Sequence, residues 1–512
     1  MWSFQLIGWS AANNKNNFND WAYNRAQWWE GVHNNWAGGG GPESGDGDPG
    51  LYLMEWPADS TVGILDQWFG DDGLGLDDAT FQYWNMDNEP EIWNGTHDDV
   101  MPEQISAEKF MLLYFDVAKK ARAKFPDIKL VGPVTANEWQ WYNWANDKIN
   151  YNNKNYTYLE YFILRVAEEQ QASGVRLLDV LDIHFYPGEE KNTDIVQLHR
   201  VWFDKTYNYP GANGVKRAGS GGWDNNITKE YVFARCSDWL EKYMGPDHGV
   251  TFGVTEMGIK GNDPNVTASW YASTLGVFAD QGVELFTPWT WKTGMWEVLH
   301  LFSRYNKNIR VASGTDLEEF VSAYSTINSA LDSLTVFLVN RTLDQSQDVT
   351  VNIHDFTVAN GEYEYLMLNN LPEEETFKTH SNNALQEGTV SVQNGSFNLS
   401  LPSLSITAVL FTGQGTTSSI KQRPNTTLLS FDIYPNPFNP ATTLSYYVPS
   451  PVNVNVDIFD INGRLVRRMT NLPGQSGSHS IRFDGSNLAS GIYFVRFLAG
   501  SRVKMKKIML IK

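Results

Sequence analysis

Between residues 2 and 305 the chain alternates two kinds of segment, and that alternation limits the fold more than any other feature. Short apolar stretches at 3–9, 81–86, 128–134, 178–185, 251–255 and 284–291 read as strands. Between them, 103–124, 156–173, 229–243 and 267–281 read as amphipathic helices. Phe110, Leu113, Tyr114, Val117 and Ala121, for example, recur at helical spacing. Strands that alternate with helices pair in parallel, with the helices outside the sheet. The strand ends carry polar and aromatic groups: Asn88-Glu89, Thr135, His184 with Tyr186, Glu256, and Trp289 with Trp291. Polar groups at the C-terminal ends of successive strands are what a (β/α)8 barrel site looks like in sequence. The pattern predicts an α/β chain with such a barrel over residues 1–305.

After residue 305 the helical spacing stops. Strand-like runs such as Leu334-Thr-Val-Phe-Leu-Val and Ser396-Phe-Asn-Leu-Ser-Leu are punctuated by Ala359-Asn-Gly and Gln393-Asn-Gly. Short strands without helices predict an antiparallel β-sandwich over 306–412. Residues 413–430 are rich in Gly, Thr, Ser and Gln and read as a flexible linker. A small all-β domain is expected over 431–512, from the alternation at 452–459 and Gly491-Ile-Tyr-Phe-Val-Arg-Phe. Residues 34–50 are a Gly-, Asp- and Pro-rich loop. Its Glu43, Asp46 and Asp48 could bind calcium, but their spacing is not that of an EF-hand, and a solvated loop is the simpler reading.

The charge of the 512-residue chain is −20, which argues against nucleic acid and anionic membrane surfaces as partners. Cys236 is the only cysteine, so no internal disulfide forms. No zinc or phosphate-loop motif is present. The opening Met-Trp-Ser-Phe-Gln-Leu-Ile-Gly is not a signal peptide, and no apolar run reaches the length of a membrane span. The 20 tryptophans and 23 tyrosines stand out. Many lie in polar company, as in Asn137-Glu-Trp-Gln-Trp-Tyr-Asn-Trp144. Flat rings beside amides and hydroxyls suit pyranose rings.

Two carboxylates terminate strands. Glu89 lies between Asn88 and Pro90, and Glu256 closes Phe252-Gly-Val-Thr-Glu. On a barrel they would converge on one cleft. A pair roughly 5 Å apart is the geometry of retaining glycoside hydrolysis, in which Glu256 would attack the anomeric carbon and Glu89 would protonate the leaving oxygen. Asp182, His184 and Tyr186 share one parity of their strand and point the same way. Tyr186 could hydrogen-bond the nucleophile, and His184 could contact a sugar hydroxyl or the acid; a satisfied core His–Asp pair is an equal reading of Asp182. Trp289 and Trp291 share a parity and could floor the site. Trp93 and the tryptophans of 139–144 are candidates for flanking subsites. Glu138 is the second candidate for the acid, and Glu189 and Glu190 read as a turn.

With these residues in view, the chain resembles the retaining (β/α)8 glycosidases whose acid lies in an Asn-Glu-Pro motif, and most closely glycoside hydrolase family 44. The resemblance rests on Met86-Asp-Asn-Glu-Pro-Glu-Ile-Trp-Asn-Gly-Thr-His, Val131-Gly-Pro-Val, Asp182-Ile-His-Phe-Tyr-Pro and Val254-Thr-Glu, and covers about residues 3–412. It implies endo-cleavage of β-1,4-glucans, xyloglucan included, with Glu89 as acid/base, Glu256 as nucleophile and Asn88 as a ligand of the 2-hydroxyl. It implies no required cofactor, although a structural calcium is within the family's range; no metal ligands are mapped. The last domain is similar to the C-terminal sorting domain of the type IX secretion system, on Tyr434-Pro-Asn-Pro-Phe-Asn-Pro, Gly491-Ile-Tyr-Phe-Val and the basic terminus. That implies a partner in the secretion machinery and a secreted or surface-attached, monomeric protein. The resemblance counts Phe81–Met86 as strand four, so strands one and two and a signal peptide are expected to precede this sequence. An N-terminally incomplete barrel is expected to be less stable than a whole one, and to be inactive or to aggregate. The rival readings are a β-xylanase or β-mannanase of the same clan, a non-catalytic carbohydrate-binding surface protein, and a structural surface protein.

Overall fold

The computed structural model describes residues 1–12, 36–37, 41–42, 53–78, 80–97, 100–101, 103–145, 148–217, 223–415, 430–434, 436–448, 452–475, 477–500 and 502–512. The calcium-loop candidates Glu43, Asp46 and Asp48, and most of the 413–430 linker, lie outside them. The chain forms two compact units, Met1–Lys421 and Gln422–Lys512.

The first unit is built on a six-stranded, all-parallel sheet: β1 (Trp2–Phe4), β2 (Tyr83–Met86), β3 (Lys129–Thr135), β4 (Val180–Ile183), β5 (Thr251–Val254) and β6 (Val283–Phe286), adjacent in chain order. All six expected strands are present, several shorter than predicted. The first stretch ends at Phe4, because the Gln5 and Leu6 N–H groups donate to the Thr61 and Asp87 side chains instead of to a neighbouring strand. Pro288, with no N–H to offer a ladder, follows closely on the end of β6 at Phe286. The sheet curls. Tyr83 on β2 donates its hydroxyl to Glu284 on β6 at 2.6 Å, Thr251 on β5 donates to the same carboxylate, and Lys129 on β3 pairs with it. Side chains from strands four places apart meet only if the sheet bends around a lumen.

The expected helices lie between the strands: Ala107–Lys124, Tyr158–Ser173, Val232–Met244 and Pro264–Gln281. Caps explain where two of them start. Ser106 accepts from the Lys109 N–H, and Asp263 accepts from the N–H groups of Asn265 and Val266 with Pro264 at the first helical position.

An antiparallel sheet beginning at Ile309–Val311 packs on Pro264–Gln281 and Met295–Tyr305 and shares their apolar core. Phe302 stacks on Phe337, and Tyr324 donates to the Ser273 carbonyl. The second unit pairs a three-stranded with a four-stranded antiparallel sheet around Phe431, Leu444, Val456, Val495 and Phe497.

Candidate active site

The Asn-Glu-Pro segment leaves β2 through two left-handed residues, Asp87 at φ 68° and Glu89 at φ 46°. Residues other than glycine seldom adopt that region, so their surroundings must hold them there. The Asp87 carboxylate accepts from the N–H groups of Leu6 and Asn88. The Glu89 N–H donates to the Val134 carbonyl at 2.9 Å. From beneath, the Trp93 indole donates to the Asn88 carbonyl at 2.8 Å. Trp93 is therefore a support and not a sugar platform: it is 0% exposed and lies edge-on to Phe110.

The end of β4 is held just as firmly. Asn137 brackets Tyr186, accepting from its N–H at 3.0 Å and donating to its carbonyl at 3.1 Å. Trp141 donates to the His184 carbonyl. Trp141 and Trp144 are buried, which overturns the subsite reading for both. Gln140 lies on the same short helix as Trp141, Glu138–Tyr142, and Asn143 gives its amide to the Trp139 carbonyl. Just past β5, the Glu256 carbonyl accepts from the Phe185 N–H at 3.0 Å, so the nucleophile candidate is keyed to the segment carrying His184 and Tyr186.

These supports bring four of the expected side chains together. His184 Nδ1 lies 2.9 Å from Glu89 Oε1 and 3.6 Å from Glu256 Oε2. Tyr186 donates to Glu256 Oε2 at 2.7 Å. Glu89, His184 and Glu256 each place a ligand atom within 4.8 Å of the others. That trio is also a donor set a divalent cation could use, but a cationic His184 would offset one of the two carboxylate charges without one. Asn88 is exposed at the rim.

Burial works against the imidazolium of His184, but its bond to Glu89 and the charges of Asp182, Glu256 and Glu89 outweigh that and raise its pKa. Burial, with the Glu256 bond added, pushes the Tyr186 phenol far up, so it remains a donor. Asp182 does not pair directly with His184. Thr255 stands between them, donating to Asp182 Oδ2 at 2.5 Å and lying 3.2 Å from His184 Nε2. Sequence reasoning missed Thr255, because only the alignment of β4 beside β5 shows the link.

Glu138, the second candidate for the acid, is turned away. Its carboxylate accepts from the Gly214 and Val215 N–H groups, and burial raises it to about 7. Glu189 meets Tyr209, and exposed Glu190 pairs with Lys260. Trp289 and Trp291 follow β6 rather than lying on it, so strand parity does not place them. The Trp289 N–H donates to the Met257 carbonyl beside Glu256, and the ring is 65% exposed. Trp291 stacks on Trp296, centroids 4.2 Å apart, and both are exposed. Lys292 ties this loop to the segment after Glu256, donating to the carbonyls of Ile259 and Gly261 and to Asn262.

The model of glycoside hydrolase family 44 matches residues 3–189, and that of the secretion system C-terminal sorting domain matches 432–512. Beta-mannanase/endoglucanase A of Caldicellulosiruptor saccharolyticus is 24% identical over 311 residues, covering 55% of this chain and 23% of the relative. Endoglucanase A of Paenibacillus lautus is 23% identical over 310 residues, covering 54% of this chain and 42% of the relative. The chain thus spans less than half the length of either. Among solved structures, CelM2, a bifunctional glucanase-xylanase from a metagenome library, superposes with a TM-score of 0.62 at 22% identity over 80% of this chain and 82% of that one. That likeness establishes the fold. Residues 3–189 are thus similar to glycoside hydrolase family 44, and residues 432–512 to the secretion-system C-terminal sorting domains.

Proposed function

We propose that the first unit is an endo-acting, retaining glycoside hydrolase of β-1,4-glucan backbones, with its catalytic domain over 1–305, the sandwich over 306–412 and a linker to the sorting domain at 431–512. The observation that carries this is the approach of Glu89 and Glu256 to within 4.8 Å. Double displacement uses carboxyl groups about 5–5.5 Å apart, whereas inversion needs about 6.5–9.5 Å to admit a water.

Tyr186 holds Glu256 Oε2 and directs Oε1 at the anomeric carbon. As that bond forms, the glycosidic C–O bond breaks and Glu89 gives its proton to the departing oxygen. Water then attacks the glycosyl ester, Glu89 takes a proton from it, and Glu256 is released. No cofactor enters either step. Exposed Trp289 offers a face for a sugar ring beside Glu256, and exposed Asn88, next to Glu89, is the proposed ligand of the 2-hydroxyl. The match to the sorting domain supports export to the medium or the cell surface, and the exported protein is proposed to act as a monomer. Among the described residues no helix is long and apolar enough to cross a membrane.

The names of the similar proteins include glucanase, mannanase and xylanase activities, so the backbone is decided by assay. Reducing sugar is measured on carboxymethyl cellulose, xyloglucan, xylan, mannan and lichenan, with Glu256→Gln as the blank. Release from the β-1,4-glucans that Glu256→Gln abolishes is the expected result. Release from xylan or mannan alone moves the assignment to the sister activities, and no release from any substrate leaves a carbohydrate-binding protein.

Tyr186→Phe removes one hydrogen bond to a charged oxygen, worth about 1.5–3 kcal/mol. It is expected to lower kcat about tenfold to a hundredfold with KM little changed, as initial rates on the preferred glucan will read.

A further inference from the structure

Behind His184 runs a chain of polar groups that touches no substrate. Asp182, Thr255 and His184 are all buried. Thr255 Oγ1 lies 2.5 Å from Asp182 Oδ2 and 3.2 Å from His184 Nε2. The packing is specific: a Cβ on Gly253, the neighbour on β5, would fall 2.6 Å from Asp182 Oδ1, so only glycine leaves the carboxylate room.

A threonine hydroxyl has one proton to give. An ionised Asp182 accepts only, so that proton goes to Oδ2. The lone pair left on Thr255 can then receive only an N–H, and Nε2 is the group facing it. We propose that Asp182 and Thr255 are positioning residues that fix His184 as the Nε2–H tautomer, so that Nδ1 meets Glu89 as an acceptor of its acidic proton. This inference rests on the reading of Glu89 as acid/base. While Glu89 carries its proton, neutral His184 receives the bond at Nδ1. When the proton has moved onto the ring, the same 2.9 Å contact runs the other way, from Nδ1–H to the carboxylate. Nε2–H stays on Thr255 in both states. The titratable groups around the ring are Glu89 and Glu91 beyond β2, Asp182 on its own strand and Glu256 beyond β5. Without the threonine hydroxyl, nothing retains the proton on Nε2. The neutral ring would then place it on Nδ1 and donate to an ionised Glu89, which favours a state that cannot act as acid.

The test uses the full chain and two readouts. In 15N-labelled protein, the His184 ring signals are assigned as those lost in His184→Asn. Where the ring is neutral, wild type should show a protonated Nε2 and an unprotonated Nδ1. Thr255→Val should invert or average that pattern, and Thr255→Ser should restore it. In parallel, Thr255→Val should move the alkaline limb of the kcat/KM profile down by about one pH unit, the size of one neutral hydrogen bond. The loss should be larger on polysaccharide than on an aryl glycoside with a good leaving group. Wild type showing Nδ1–H as its neutral tautomer overturns the proposal, whether or not the variants fold. So does a Thr255→Val protein with unchanged ring shifts and profile. If wild type hydrolyses no polysaccharide, the acid/base reading of Glu89 falls, and the ring measurement still decides the tautomer.

Discussion

Glu89→Gln is expected to lower kcat on the preferred β-1,4-glucan by about 10²–10⁴-fold, the usual contribution of a positioned acid or base. The amide keeps the size of the side chain and can donate its N–H to His184 Nδ1, so the site should retain its shape and bind substrate. What it loses is a transferable proton. An aryl glycoside whose leaving group needs no protonation should therefore form the glycosyl–Glu256 ester at a rate near wild type. Release of the ester would then be slow, because no base activates water, and a burst of aryl product should appear. A small anionic nucleophile such as azide, which needs no deprotonation, should restore turnover. Glu138→Gln is the matching control: its carboxylate is committed to the Gly214 and Val215 N–H groups, so kcat should stay within a few-fold. Equal losses on polysaccharide and activated glycoside, or a larger loss from Glu138→Gln, would remove Glu89 from the acid's role.

Asp179→Ala is expected to cost the first unit about 3–5 kcal/mol, as breaking a buried ion pair from one side does. Asp179 lies just before β4, almost fully buried, and holds the guanidinium groups of Arg122 and Arg176. It also accepts from the Leu130 N–H of β3 at 2.8 Å. Removing it leaves the Arg122 charge with backbone carbonyls but no counter-ion, and one strand amide without its acceptor. Burial alone would raise the Asp179 carboxyl, but the two arginines outweigh it and hold it below its usual range. Its contribution is thus present above the unfolded value near ~3.9 and is lost as pH falls through the folded one. The midpoints of wild type and variant should converge below about pH 4. Two other buried carboxyls work with the opposite sign. Burial lifts Asp182 to about 6 and Glu91 to about 8. A raised folded value means stability that is full in acid and is lost as pH rises toward those values. Glu91→Gln should therefore flatten the decline of the denaturation midpoint between pH 5 and 8. A decline that persists unchanged in that variant assigns it to other groups.

How far the sequence could be read depended on whether a signal was local. The order and type of the sheet's elements were legible, since strand and helix periodicities depend on nearest neighbours along the chain. So were Glu89 and Glu256, because a carboxylate at the end of an apolar strand is placed at the rim by the strand itself. His184 and Tyr186 followed from parity alone. The tryptophans did not follow. Amide-rich company around Trp93, Trp141 and Trp144 looked like a sugar-binding surface, yet on and beside short helices such as Trp93–Thr96 and Glu138–Tyr142 successive side chains point in different directions, and these rings point inward. Trp289 and Trp291 were assigned by a strand parity that ends with β6 at Phe286.

By itself, then, the sequence determined the alternating parallel architecture, the separate all-β terminal module and the two acidic strand ends, because each is written in a few contiguous residues. Only the tertiary structure decided that the acids meet within 4.8 Å, that Glu138 faces elsewhere, and that Thr255 links Asp182 to His184. Those facts depend on the curl of the sheet and on the register of β4 against β5. Both are set by packing between segments dozens of residues apart, which no local pattern encodes.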